Sequence, residues 1–317
     1  MMTRRTLLAG LGAAAIAPDT WLRAATPSGF HLSILTDEIS QDFGHACEVA
    51  SRDFGMGLVD LREAGGKNLM NWDAAQTADV LKVLDRFKLR VACLATPIFK
   101  VDWPDAPRSP FSPKRDEFGA AFTYAQQDEL LERAFELARQ FHTDRIRIFD
   151  FWRLEDQKPH RAAIDDVVRK AAAKAAKRGV TLVLENEYAC NTATGAEAGR
   201  LAVAIPDKAL QITWDPGNAQ FRDEVPFPGG YAAIPKGRIG HVHCKDAARR
   251  ADGKWEWMAM GSGVIDWAGQ FRALKNDGYS FACTLETHWR GAGTPEASSR
   301  QSFAGMTGLL AKAGAAV

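Results

Sequence analysis

The sequence lacks features that would place it at once in several common classes of protein. Its five cysteines are an odd number, stand far apart and include no C-x-x-C pair, so no disulfide framework is indicated. The net charge of +1 gives no electrostatic reason to expect a nucleic acid or a membrane surface as partner. No glycine-rich loop of the form G-x-x-x-x-G-K-S/T is present, so the sequence offers no such motif for binding a phosphate group.

The N-terminal segment also lacks an apolar run long enough to span a bilayer. Its run from Leu7 to Ala17 is too short for that, so we expect no stable membrane insertion. Arg4 and Arg5 precede this run, a pattern typical of a twin-arginine export signal. The alternative is an irregular basic terminus. We predict that residues 1–25 are a removable signal and that the mature protein is periplasmic.

What is present is an ordinary globular composition with alternating strand and helix patterns. The chain is 46% hydrophobic and 25% charged, as in most folded domains. Helical spacing of apolar residues, as in residues 127–141 and 162–179, separates eight short β-rich runs. These runs cover residues 31–36, 57–62, 90–96, 145–151, 181–187, 211–215, 239–246 and 282–288. The pattern predicts an α/β fold, a single-domain (β/α)8 TIM barrel over residues 30–317, with residues 99–119 as an active-site lid.

The fifth run carries two carboxylates at its end, in the sequence VTLVLENEYACNTATG. Side chains of a strand alternate between its two faces. Leu182 and Leu184 therefore share the face that packs on the helices, whereas Glu185 and Glu187 point into the barrel. A buried carboxylate needs a metal, an arginine or water as partner.

The same alternation turns further polar side chains inward on the next three runs, at the mouth where barrel enzymes place their chemistry. These side chains are Asp215, His241, His243, Lys245, Glu286 and His288. We predict that Glu185, Asp215, His243 and Glu286 bind one divalent metal. Three carboxylates and an imidazole favour Mn²⁺ or Mg²⁺, with Zn²⁺ or Co²⁺ as further candidates. The alternative is a purely structural charge network.

The motifs TDEIS, DLREAGGKN, RIRIFDFWR, LENEYACNTATG, WDPGN, HVHCKD, GSGVIDW and LETH, between residues 31 and 290, resemble the xylose-isomerase-like TIM barrel superfamily of sugar isomerases and epimerases. In ketose epimerases of that superfamily a glutamate, an aspartate, a histidine and a glutamate hold the metal. The resemblance places these roles on the same four residues, Glu185, Asp215, His243 and Glu286. It also implies that Arg249, six residues after the histidine ligand, contacts substrate.

Two positions depart from the epimerase pattern. Asn191 stands where those enzymes have a glutamate, and Asn218 stands where they have a histidine. We keep Asn218 as a candidate substrate contact. Glu187 and His288 are the candidates to replace the missing acid and base; the alternative is that they only orient metal ligands.

Three other inward residues are candidate substrate contacts. Arg62, at the end of the second run, either binds substrate oxygens or pairs with Asp60. Lys245 either contacts substrate or pairs with Glu286. His241 lies on the inward face of the same run as the ligand His243.

A metal in such a site polarises a carbonyl and acidifies the neighbouring C–H bond. We therefore predict a sugar isomerase or epimerase that enolises a small-molecule sugar, with Glu185, Glu286 or Glu187 transferring the proton. Export and the missing phosphate loop favour an unphosphorylated sugar or keto-sugar. The alternative is a metal-dependent lyase or hydratase acting on 3-keto-glycosides; less favoured are a non-catalytic sugar- or metal-binding barrel and an abasic-site endonuclease. No nucleic acid partner is expected, and the sequence leaves a homo-oligomer open.

Overall fold

The computed structural model describes residues 31–113 and 121–315. The predicted export signal, residues 1–25, lies outside this part of the chain. Within it, no helix combines the length and the apolar character needed to cross a bilayer.

Eight parallel strands form a nearly closed barrel. In chain order they are β1 His31–Ile34, β2 Leu58–Leu61, β3 Arg90–Leu94, β4 Arg145–Ile148, β5 Thr181–Glu185, β6 Leu210–Trp214, β7 Ile239–Cys244 and β8 Ala282–Leu285. Consecutive strands from β2 to β8 pair with one another. Strand β8 also pairs with β1, and His31 lies opposite Ala282. A bridge between Leu35 and Asp60 brings β1 to β2. The predicted TIM barrel is confirmed.

Helices follow the strands around the outside of the barrel. They are α1 Phe43–Glu48, α2 Ala74–Phe87, α3 Gln127–Gln140, α4 Arg161–Arg178, α5 Gly195–Ala204, α6 Pro216–Gln220, α7 Tyr231–Ala233, α8 Trp267–Asn276 and α9 Pro295–Lys312. Short helical turns cover Thr36–Glu38, Val49–Asp53, Leu69–Asn71, Tyr124–Gln126 and Pro226–Gly230. Two antiparallel hairpins pair Glu63–Ala64 with Lys67–Asn68, and Asp246–Arg249 with Trp255–Met258.

Local sequence signals explain where the helices near the site begin and end. Asp215 follows β6 and caps α6, because its carboxylate accepts a hydrogen bond from the N–H of Asn218. Thr194 and Glu197 form a capping box at the start of α5. Gly179, with φ of 68°, ends α4 in the left-handed conformation that favours glycine. The caps of α5 and α6 fix where their loops leave the barrel mouth, whereas Gly179 lies at the opposite end of the barrel, just before β5.

The outward faces of the strands build the main core. Leu182, Leu184, Ile212 and Trp214 are fully buried between the barrel and its helices. Burying one such side chain contributes about 1.5–3 kcal/mol. The Trp214 indole N–H also donates to the Gln270 side chain on α8, at 2.6 Å. The predicted outward direction of Leu182 and Leu184 is confirmed.

The barrel interior is partly polar below the mouth. Asp60 accepts hydrogen bonds from Ser33 at 2.8 Å and from His241 Nε2 at 2.7 Å. Thr284 lies 3.0 Å from the same His241 nitrogen. This layer connects β1, β2, β7 and β8 beneath the residues that form the candidate site.

The segment after β3 packs along the extension of β4. The N–H groups of Phe149, Phe151 and Trp152 donate to the carbonyls of Ile98, Phe99 and Val101 respectively. This part of the predicted lid therefore lies beside the barrel mouth; its opening and closing remain a prediction.

Candidate metal centre and active site

Four polar side chains converge at the carboxyl ends of neighbouring strands. Glu185 ends β5, Asp215 follows β6, His243 lies near the end of β7, and Glu286 follows β8. One potential ligand atom from each lies within 4.8 Å of the others. All four side chains are buried. The structure thus brings together the predicted set, and its role in binding a metal stays a prediction.

The imidazole of His243 faces all three carboxylates of the cluster. Its Nδ1 lies 3.3 Å from Glu185 Oε1, 3.3 Å from Glu286 Oε2 and 3.9 Å from Asp215 Oδ2. Burial alone would lower the pKa of His243, but the Glu185 and Glu286 carboxylates raise it to about 10. Burial raises the pKa of Asp215 to about 7, against the opposing effect of Lys245. Without a metal, protons therefore neutralise part of this cluster.

Lys245 and Arg147, besides Arg62, also balance the negative charge of the cluster. The Lys245 Nζ lies 2.8 Å from Asp215 Oδ2 and 2.7 Å from Glu286 Oε2. Arg147 Nη1 lies 3.1 Å from Glu185 Oε2. Of the two roles considered for Lys245, the structure therefore shows pairing with Glu286, and it adds pairing with Asp215.

The donor set fits a hard divalent ion. Three carboxylates and one imidazole nitrogen are ligands for Mn²⁺, Mg²⁺, Co²⁺ or Zn²⁺. Glu185 Oε2 and Asp215 Oδ2 are buried and accept no well-aligned hydrogen bond from the described residues, although cations lie nearby. Buried oxygens normally find a hydrogen-bond donor. These two acceptors therefore keep lone pairs available for a metal.

Asn218 supports the cluster from below the cavity and does not line it. Its Nδ2 donates to Glu185 Oε1 at 3.1 Å, and its N–H donates to Asp215. Asn191 is fully buried too, and its side-chain amide bonds to the backbone of Asp150 and Leu154. The predicted contact of Asn218 with substrate is therefore not supported by its position, which is that of a residue orienting ligands.

Two further predicted substrate contacts lie away from the cavity. His241 is fully buried and bonded to Asp60, because it lies two residues earlier than His243 and so one layer deeper in the barrel. Arg249 sits on the hairpin that leaves the barrel after β7. It is half-exposed, pairs with Asp223 and covers the Trp255 ring at 4.6 Å.

The remaining candidates line a cavity of about 900 Å³ above the cluster, together with Glu185 and Glu286. Glu187 and His288 both face it. Arg62 also lines it and bonds to Asp37 at 2.8 Å, Glu38 at 2.8 Å and Glu286 at 3.0 Å. Arg62 thus does not pair with Asp60, whose partners are His241 and Ser33.

Sequence reasoning missed two residues that contact the candidate acid–base groups. Lys100, after β3, donates to Glu187 Oε2 at 3.2 Å. Glu38, after β1, lies 3.0 Å from His288 Nδ1. Lys100 lies in a loop and Glu38 in a short helical turn, and strand alternation gives a direction in neither. The acidic pair Asp37–Glu38, directly after the predicted run of residues 31–36, was the available signal for Glu38.

Comparison with known proteins gives a family and a fold. Residues 49–308 match the family model described as xylose isomerase-like TIM barrel, whereas a search of curated proteins found no match. A xylose isomerase domain protein from Planctomyces limnophilus is similar in structure, with a TM-score of 0.65, 15% identity and coverage of 90% of this chain and 98% of that one.

Two other solved structures are similar over the same extent. A D-psicose 3-epimerase has a TM-score of 0.65 at 14% identity, with 90% of this chain and 100% of that chain covered. The zinc-binding IOLI protein has a TM-score of 0.68 at 15% identity, with 89% and 99% covered. At these identities the likeness shows the fold alone. Because the family model spans most of the sequence, the chain belongs to the xylose isomerase-like TIM barrel family.

Proposed function

We propose that the protein is a divalent-metal-dependent enzyme of the isomerase or epimerase type that enolises an unphosphorylated sugar or keto-sugar. The observation that carries this proposal is the convergence of Glu185, Asp215, His243 and Glu286 at the barrel mouth, with two of them lining a large cavity. Barrel enzymes place their chemistry at this mouth. Relatives in structure include proteins named as an epimerase and as a probable dehydratase.

Those four side chains would hold the ion, and Mn²⁺ is the metal we propose, with Mg²⁺, Co²⁺ and Zn²⁺ as alternatives. When bound, the ion would supply a Lewis acid for a substrate carbonyl. Asn218 would keep Glu185 and Asp215 in place, since it bonds to both.

Glu187 is the residue to which we assign proton removal from the carbon beside the carbonyl. Its Oε2 accepts from Lys100, and its Oε1 accepts from the N–H of Ala189 at 3.3 Å. These two donors fix the carboxylate at the cavity wall, two residues beyond Glu185. A base must be held within hydrogen-bonding reach of the proton it removes. If Glu187 only orients its neighbours, the ligand carboxylates carry this step.

His288 is the second acid–base candidate, in the loop after β8, at the other end of the ligand set. Its Nδ1 lies 3.0 Å from Glu38 Oε1, and Glu38 also pairs with Arg290 and Arg62. A carboxylate on one ring nitrogen fixes the orientation of the imidazole and leaves the other nitrogen for substrate. With Glu187 and His288 both able to carry a proton, the proton could be returned to either face of the substrate.

The charges around the cavity favour a substrate without a phosphate group. The described lining residues include five lysines and arginines, and each contacts a carboxylate. They are Arg62, Lys100, Arg108, Arg147 and Arg290. Seven carboxylates line the same cavity. An excess of negative charge suits a divalent cation with a neutral sugar and disfavours a dianion.

The Glu187–Lys100 contact also favours a second candidate, a lyase or hydratase acting on 3-keto-glycosides. Glu187 would take the proton beside the carbonyl while the β C–O bond breaks, and the Lys100 ammonium would give its proton to the departing oxygen. An acid and a base 3.2 Å apart on one wall suit this syn elimination.

The test uses full-length protein purified without chelator and analysed for bound metal. Unphosphorylated aldoses, ketoses and 3-keto-glycosides are incubated in D₂O with and without Mn²⁺, and mass spectrometry follows label and products. We expect metal-dependent deuterium uptake. An isomeric product that differs from the substrate in mass only by the label indicates isomerisation or epimerisation, and a lost fragment indicates elimination. Glu286→Gln should abolish uptake, and Glu256→Gln, an exposed hairpin position, serves as control. No uptake with any metal would refute the proposal.

A further inference from the structure

Besides Phe111 and Phe122, three partly exposed aromatic rings line the same cavity as the charged residues. Trp152 follows β4, Tyr188 follows β5, and Trp257 lies on the hairpin after β7. We call these three rings the aromatic rim. Large apolar surfaces left open to solvent in a cleft commonly mark a binding site.

The aromatic rim is continuous with the charged floor of the cavity. Lys245 Nζ lies 4.8 Å from the Trp257 ring centroid, and Lys100 Nζ lies 5.3 Å from that of Trp152. The Trp257 and His288 rings are 5.5 Å apart. Tyr188 directly follows Glu187 in the chain. A ligand that reaches the metal cluster therefore passes these rings or rests on them.

The fold holds the rings of the rim in fixed positions. Phe221 stacks on Trp257 with centroids 3.9 Å apart and contacts Tyr188 at 5.4 Å. At Gly217 a Cβ atom would lie 2.7 Å from Lys245 Cγ and 3.0 Å from the Trp257 ring, so a larger residue there would force the Lys245 side chain or the ring to shift.

The backbone beside Trp152 is also specialised. Phe151 has φ of 72°, a left-handed conformation that non-glycine residues with bulky side chains rarely adopt. Trp152 itself bridges to Cys190, and its N–H donates to Val101 at 3.0 Å. The chain therefore maintains a strained turn that sets the direction of this ring.

We propose that the aromatic rim binds a second ring joined to the reacting sugar, so that the substrate is a glycoside or an oligosaccharide and not a free monosaccharide. This inference rests on the proposed function. The cavity of about 900 Å³ is near the upper end of the usual range of about 300–1,000 Å³. One sugar ring at the metal cluster fills only its lower part. Flat aromatic faces complement the flat apolar face of either a sugar ring or an aromatic aglycone.

The test compares ligands that differ only in the second ring, by calorimetric titration of the full-length protein with Mg²⁺ present. The probes are methyl and phenyl D-glucopyranosides and D-galactopyranosides, as both anomers, with cellobiose, maltose and lactose. We expect at least one two-ring probe to bind about tenfold more tightly than its methyl counterpart. Preference for a phenyl glycoside indicates an aromatic aglycone, and preference for a disaccharide indicates a second sugar.

Variants show whether the rim causes this preference. Trp152→Ala and Tyr188→Ala should each reduce the affinity ratio of two-ring to methyl probe to about one or two. Trp255→Ala is the matched control, because Trp255 lies on the same hairpin as Trp257 but against Arg249 and Asp223. Equal affinity for methyl and two-ring probes, no binding of any probe, or a ratio unchanged in both rim variants would overturn the inference. Metal-dependent deuterium uptake by a monosaccharide would leave the proposed function standing in each case.

Discussion

Asp215 offers the sharpest test of the metal centre, because its two carboxylate oxygens have separate contacts. Oδ1 caps α6 by accepting from the Asn218 N–H at 2.9 Å. Oδ2 faces the cluster, 2.8 Å from Lys245 Nζ. Asparagine caps a helix about as well as aspartate. Asp215→Asn should therefore keep the fold and remove the charge that a divalent ion requires.

The expected size of the effect follows from these contacts. Changes to residues that only support a ligand cost about 10- to 100-fold in metal affinity, so losing a direct ligand should raise the Kd for Mn²⁺ by more than about 100-fold. That corresponds to about 2.7 kcal/mol or more. Lys245 keeps its contact with Glu286 at 2.7 Å, so no buried charge is left alone. The melting temperature should change by only a few degrees.

Calorimetric titration with MnCl₂ measures the affinity, and circular dichroism follows thermal unfolding. Asp266→Asn is the control, because Asp266 caps α8 in the same way, accepting from the Gly269 N–H at 2.7 Å. Mn²⁺ affinity of Asp215→Asn within about threefold of wild type would show that Asp215 is not a ligand. An equal loss in both variants would assign the effect to helix capping.

The other predictions concern chemistry, protonation and export. Glu187→Gln should retain Mn²⁺ while turnover and deuterium exchange fall together by ~10²- to 10⁴-fold; turnover within a few-fold of wild type would assign proton transfer to the ligand carboxylates. Mn²⁺ binding near neutral pH should release about one proton or more, since the pKa of His243 in the metal-free cluster is about 10. Titration in buffers of different ionisation enthalpy counts these protons, and zero release contradicts the protonated imidazole. Under our export proposal, changing Arg4 and Arg5 to lysine should keep the protein cytoplasmic; an unchanged extracytoplasmic fraction would contradict it.

The barrel was predictable because its signals are local. Each strand is a short apolar run between turns, and the predicted runs extend past the observed strands by only one to three residues at their carboxyl ends. Alternation persists through several of these extra residues: Glu187 and Lys245 still point inward, as predicted. Because parallel strands bring their carboxyl ends to one mouth, the direction of each side chain was enough to assemble the cluster.

Sequence reasoning could not show which residues of neighbouring strands lie level with one another, nor the paths of the loops. Alternation places His241 and His243 on the same face, but only the stagger of the barrel shows that Asp60 on β2 lies level with His241 and pairs with it. Arg249 lies six residues after the predicted ligand His243, the spacing that the resemblance to ketose epimerases gives for a substrate contact. The hairpin nevertheless carries Arg249 outward to Asp223. Lys100 reaches Glu187 from a loop whose path depends on long-range backbone pairing with β4.

The Lys245 ammonium between Asp215 and Glu286 has a consequence for how the protein matures. A small domain that depends on its metal for structure unfolds when the ion is removed. Here the chain carries an internal counterion that already occupies the space between two ligand carboxylates. Folding can therefore be completed before any ion arrives, and under the proposed metal binding, loading would be an exchange of one cation for another. The compartment in which that exchange occurs, and the metals available there, would then decide which ion the protein binds.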